Sequence, residues 1–367
     1  MVPISRLCGS WLIALGLLQL TNACHAQQTI PVANAATQPA KEQPAEGTNA
    51  WRRHHCLVII GLPGDAAHQQ EFSDMAADLK RELAARGMAH DNLQILGNGS
   101  PQPANTAPTN LPNNDKVAIE QAASAFVARL EPEDSFWLIL IGHADHDGEH
   151  ARFHIPGSDL RAIDYADLFE NLKCDQQVFW LTMSSSGWFT EQLSRENRIV
   201  ITSTTRDAEP NETEFPAAFI QALATPNSEM DRNNDGEADL LELFARSHAL
   251  VEAAYNADNR APTEHATLDD DGDGRGTEWK EIFEAQQRIA SATSDEGVIV
   301  PAAQTSKLDG KLASTLVLPK RRVPKEQAQP TYDAGLQNAS DEKQNEANPS
   351  VDSADTDAET ATDFLLE

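Results

Sequence analysis

Cysteine is scarce in this chain, four in 367 residues. Cys8 and Cys24 fall in the first 26 positions, which leaves only Cys56 and Cys174. Two cysteines make no disulfide framework, and a domain of this size needs none. Basic residues are also few: 28 Lys and Arg stand against 57 Asp and Glu, a net charge of −29. That imbalance excludes nucleic acid as a partner, because a phosphate backbone is held by clustered cations. Long apolar runs are missing after the first twenty residues, so the mature chain carries no transmembrane span. Nothing in the sequence fixes an oligomeric state.

The ends are read from composition. Residues 1–26 have the form of a secretory signal peptide: Arg6 opens it, 11–20 is apolar, and Cys24-His25-Ala26 supplies small residues for cleavage near Ala26. Export to a periplasm or the extracellular space is therefore expected. Lipid anchoring at Cys24 is the weaker alternative, since Thr21 stands where an aliphatic residue is wanted. Residues 27–50 read as a disordered linker rich in Ala, Gln, Pro and Thr, and 291–367 as a low-complexity, acidic, disordered tail.

Between them, short apolar runs alternate with helical patterns. CLVII at 56–60 ends in Gly61-Leu62-Pro63-Gly64, and a helix follows with Phe72, Met75, Leu79 and Leu83 on one face. A short strand at 92–96, a long loop at 97–114, a helix at 116–130 and the strand 136–141 come next. A polar excursion at 145–159 precedes a short helix capped by Asp164. The strand 178–183, a helix from Trp188 and a strand at 199–203 complete the series. Runs apolar on both faces with helix-length crossovers predict an α/β fold with a mainly parallel sheet and helices on both faces. The expected domain is 51–225, with a helical extension over 226–290.

Function in such sheets collects at the carboxyl ends of the strands. Two runs end there in usable chemistry: FWLILIGHAD (136–145) in Gly142-His143, and VFWLTMSSSG (178–187) in Ser184-Ser185-Ser186-Gly187. This order and placement resembles the legumain and caspase type of cysteine peptidases. The resemblance implies a caspase-like fold over about 56–223, with His143 as catalytic base and residue 184 as nucleophile. Ala144 and Gly187 would form the oxyanion and turn region, and the N–H groups of Ala144 and Ser184 would bind the oxyanion. Two positions depart from the family pattern: Ala144 stands for glycine, and Ser184 for the catalytic cysteine. A serine needs a tightly bonded, oriented base where a thiolate does not; Asp145 and Asp147 are the candidates to orient His143. Cys174 begins the strand whose far end carries Ser184, so it cannot replace the thiol, and a strand expected between Cys56 and Cys174 separates them. The resemblance thus implies a peptidase-like hydrolase using a His143/Ser184 dyad on a peptide or protein substrate. The alternative is a catalytically inactive pseudo-peptidase acting as a calcium-stabilised binding or scaffold protein.

Calcium enters through a separate motif. Asp231, Asn233, Asp235, Glu237, Asp239 and Glu242 fall on the ligand positions of a twelve-residue EF-hand-like loop, with Gly236 at the sharp turn. Helices at 215–223 and 240–255 would frame it. A second run containing Asp269, Asp271 and Asp273 repeats the early positions but has Lys280 at the twelfth, which makes it a degenerate candidate. The histidines and acids of 143–150 are dense but lack metal-ligand spacing. Glu209, Asn211 and Glu212, in a loop expected to set specificity, are candidates to line a pocket for a basic side chain.

Overall fold

The computed structural model describes residues 53–97, 113–207, 209–294 and 308–322. The expected leader and linker, Cys8, Cys24, most of the loop at 97–114 and the residues beyond 322 lie outside these residues. β1 (His54–Ile60) leads to α1 (Ala66–Ala85), β2 (Leu93–Leu96), α2 (Lys116–Arg129) and β3 (Ser135–Ile141). Three short strands follow, β4 (Ala144–His146), β5 (Ala151–Phe153) and β6 (Leu160–Arg161), then α3 (Ala162–Leu168). Next come β7 (Gln176–Leu181), α4 (Thr190–Leu193), β8 (Arg198–Thr202), α5 (Phe215–Ala224) and α6 (Asn227–Met230). The series closes with α7 (Leu240–Ala257), β9 (Thr267–Asp269), β10 (Thr277–Glu278) and α8 (Trp279–Ser294).

The main sheet has seven strands in the order β10-β9-β8-β7-β3-β1-β2. β2, β1, β3, β7 and β8 pair in parallel, and β9 and β10 close one edge antiparallel. The fold is therefore α/β with a mainly parallel sheet. Strand periodicity explains why the runs are apolar throughout: alternate residues face opposite layers, and both layers are covered. Cys56, Val58 and Ile60 pack with Phe72 and Leu79 of α1, Phe219 of α5 and Phe244 of α7. Leu57 and Ile59 pack on the other face with Ile119 and Phe126 of α2, Tyr165 of α3 and Leu193 of α4. Both cysteines are buried and free; Cys56 lies on β1 and Cys174 just before β7, and β3 runs between those two strands.

Several elements differ from the sequence expectation. The polar excursion after β3 is a three-stranded antiparallel sheet, too short in each strand to show a period. Arg161, not Asp164, caps α3; Asp164 sits at its third position and accepts from the Arg161 backbone N–H at 2.8 Å. The expected helix from Trp188 is a 3₁₀ turn, Ser186–Phe189, running into the single turn of α4. Residues 308–322, read above as tail, pack on the core: Leu316 and Leu318 are buried, and the Leu318 N–H donates to the Ala238 carbonyl at 2.7 Å.

Candidate functional site

β3 and β7 are adjacent and in parallel register, so the segments that leave their carboxyl ends meet. His143 follows β3 after Gly142, whose φ of 153° backs it onto the Gly61 turn beyond β1; a Cβ on Gly142 would lie 2.9 Å from the Gly61 Cα. Ser184 follows β7 and enters a tight reversal through Ser185, which is left-handed at φ 55°. The turn is fixed from behind by β8: Ser186 Oγ lies 3.0 Å from Ser203 Oγ, and the Gly187 N–H donates to Thr204 Oγ1 at 3.1 Å.

His143 and Ser184 line one narrow slot with Glu71, Phe72, Met75, Gly142, Glu212, Thr213 and Pro216. The slot's free volume is about 10 Å³, the space of a single water. Within it the two side chains look elsewhere. Ser184 is 6 % exposed and its hydroxyl donates to the Ala144 carbonyl at 2.9 Å. The Ala144 N–H points back to Ser184 Oγ at 3.5 Å, so this group, expected as an oxyanion donor, faces the serine itself. His143 Nε2 lies 3.3 Å from the Pro63 carbonyl. Among the described residues no hydrogen bond joins Ser184 to His143.

The acids expected to orient His143 are occupied by other partners. Asp145 pairs with His154 at 3.2 Å. Asp147 pairs with Arg152 and accepts the backbone N–H groups of Glu149 and His150, which hold its carboxyl below the usual carboxylate range. His146 stacks flat on Trp188 with ring centroids 3.9 Å apart, so the local histidine cluster does not converge. The Pro63 carbonyl is the group that steadies His143; an oxygen that only accepts puts the hydrogen on Nε2 and leaves the other nitrogen with its lone pair.

A further histidine stands beside His143, outside the residues that line the slot. His68 stands in the first turn of α1, whose N-cap Asp65 accepts the N–H groups of Ala67 and His68. Its Nδ1 lies 2.9 Å from Asp65 Oδ1 and its Nε2 3.0 Å from Glu212 Oε1. Those two carboxylates, Glu212 first, raise the His68 pKa above the ordinary value. The ring meets His143 edge-on at 5.2 Å. Glu212 and Glu209 are thus each paired with a histidine rather than set out for a basic side chain, Glu209 with His265.

The acidic loops assemble differently from their sequence ranking. In the first, Asp231 accepts from the N–H groups of Asp235 and Gly236, and Asn234 and Gly236 take positive φ, so the backbone has the turn a calcium loop requires. The helix entering it is the single turn of α6, not the helix at 215–223. Asp239 caps α7 and forms a reciprocal capping box with Glu242. Glu242 also accepts from the N–H groups of Arg232 and Asn233. In the second run, Asp269 ends β9, and carboxylate oxygens of Asp269, Asp271 and Asp273 lie within 4.8 Å of one another. Among the described residues no three carboxylates of the first loop come that close.

His143 and Ser184 are legible in the sequence because apolar runs stop at them. His68 shows only a weak signal, an Asp65-x-x-His68 pattern at a helix start beyond the first strand. No family model matches the chain, and no curated protein is similar to it. Among solved structures it is similar to the initiator caspase Dronc of Drosophila, at TM-score 0.38 and 15 % identity over 63 % of this chain and 84 % of that one. It is similar also to caspase-1 from Spodoptera frugiperda, at TM-score 0.39 and 12 % identity over 65 % and 94 %.

Proposed function

We propose that this chain is a peptidase-like protein of the legumain and caspase type whose cleft binds a protein or peptide segment without cutting it. The observation that carries this reading is the hydrogen bonding of residue 184. A serine hydroxyl attacks only when a base can take its proton, and the Ser184 proton is directed to the Ala144 carbonyl while His143 rests on Pro63. The hydroxyl serves as a tie between the strand ends of β3 and β7. In the same reading the protein is exported, on the strength of its leader-like first 26 residues, and calcium holds the acidic loops. The Asp269, Asp271 and Asp273 carboxylates support a cation there, and the turn at Gly236 supports one in the first loop.

The test is a mixed peptide library incubated in calcium with wild type, Ser184→Ala and Ser184→Cys, with cleavage and retention measured together. The expected result is peptide retention with no cleavage by wild type or by Ser184→Ala. Cleavage by wild type that disappears in Ser184→Ala would overturn the reading in favour of a serine peptidase using the His143/Ser184 dyad. Turnover that appears only in Ser184→Cys would support it, since a thiol needs less from its base.

A further inference from the structure

Beside the slot, ligand atoms gather that peptide binding does not explain. Three segments leaving the same edge of the sheet each place one metal-ligating group there: His68 beyond β1, His143 beyond β3 and Glu212 beyond β8. One ligating atom from each lies within 4.8 Å of the other two. His68 and Glu212 form an ion pair, and Asp65 completes it. An ion pair of that kind has no use for His143, whose ring is nevertheless brought edge-on to His68 at 5.2 Å.

We infer that His68, His143 and Glu212 form a binding site for a divalent transition metal of the zinc class. Two imidazoles and one carboxylate are a donor set that suits zinc, whereas calcium and magnesium want oxygen alone. Bonds of about 2.0–2.1 Å place tetrahedral ligand atoms roughly 3.3 Å apart. The His68 to Glu212 separation of 3.0 Å is already near that spacing, and rotation of the half-exposed Glu212 side chain supplies closure within the 4.8 Å limit.

Each histidine is also held through a ring nitrogen. Asp65 Oδ1 takes Nδ1 of His68 at 2.9 Å, and the Pro63 carbonyl takes Nε2 of His143 at 3.3 Å. Ring nitrogens held in this way present the remaining lone pair in a fixed direction and raise its basicity. Three protein ligands would leave a fourth position for water. The site requires no nucleophile, so it stands independently of the peptidase-like reading.

The test uses tag-free mature protein in excess calcium, so that the acidic loops are filled. Cobalt(II) is titrated while its visible absorption is followed, and zinc is then competed against a chromogenic chelator. Wild type is expected to bind one cobalt with the intense visible bands of a four-coordinate site and to exchange it for zinc. Glu212→Gln and His68→Gln are expected to weaken zinc by about 100-fold, and Asp65→Asn by roughly 10-fold through the loss of its hold on His68. Asp271→Asn should bind zinc as wild type does. The Glu212 side chain is about half exposed (54 %), so its variant folds, and circular dichroism verifies this for each protein. Equal zinc affinity in wild type, His68→Gln and Glu212→Gln would overturn the site, as would a wild type that leaves all zinc on the chelator.

Discussion

Gly187 occupies a position where no side chain fits. A Cβ there would lie 2.2 Å from the Thr205 carbonyl carbon and 2.3 Å from its oxygen, both backbone atoms that cannot swing aside. Gly187→Ala is therefore expected to destabilise by about 3 kcal/mol or more, a fall in melting temperature of roughly 6–10 °C. A thermal melt within 2 °C of wild type would mean that the turn is not packed on β8 as described. The same turn shows how far single residues could be read in advance. His143, Ser184 and Gly187 stand out because each follows an apolar run at its end, a signal local in sequence. His68 and Glu212 are separated by 144 positions, and only the strand order brings them together. Asp145 and Asp147 were reasonable candidates to orient His143 by proximity in sequence, but a strand reversal at β4 and β5 turns them toward Arg152 and His154.

Buried polar side chains join the elements. Arg198, 1 % exposed at the start of β8, donates to the Leu193 carbonyl at the end of α4 and to the Phe169 carbonyl at the end of α3. It also grips Gln177 Oε1 of β7 and lies over the Phe179 ring. Carbonyls at helix ends have no partner within the helix, so one guanidinium satisfies two termini. Arg198→Lys keeps the charge but not the fork, and is expected to cost about 2–4 kcal/mol in urea denaturation; an unchanged midpoint would contradict that role. Glu264 does the corresponding work at the start of α5, accepting the N–H groups of Glu214 and Phe215 at 2.7 and 3.2 Å. Burial pushes its pKa up to about 7. The folded state then holds a proton that the unfolded chain releases above about 4.5, so this contribution to stability is complete below pH 4.5 and lost as pH rises toward 7. Glu264→Gln should gain on wild type by up to about 3 kcal/mol between pH 4.5 and 7.5. A stability difference that stays constant across that range would refute the assignment. The strands and helices with long periods, β1, α1, β3, β7 and α7, were legible at this scale. β9 and β10 were not, because strands of three and two residues are too short to carry a pattern.

At the scale of the whole molecule, charge and topology act together. The net charge of −29 makes the chain repel itself, and the calcium proposed at the acidic loops would relieve part of that repulsion. With dissociation constants typical of extracellular calcium modules, 10 mM calcium should add roughly 1.5–2.5 kcal/mol and raise the melting temperature by about 3–8 °C. Chelation should reverse it, and Asp269→Asn should remove part of the effect. Identical melts in calcium and in chelator would remove calcium from the account. The parallel sheet places the histidine and the serine side by side, yet their hydrogen bonds direct them apart, and on this the proposed lack of cleavage rests. The most direct measurement is labelling of the intact protein with a fluorophosphonate, which reacts only with a serine activated by a base. The account predicts no adduct on Ser184 at neutral pH. An adduct that forms on wild type and is absent from both Ser184→Ala and His143→Ala would contradict it.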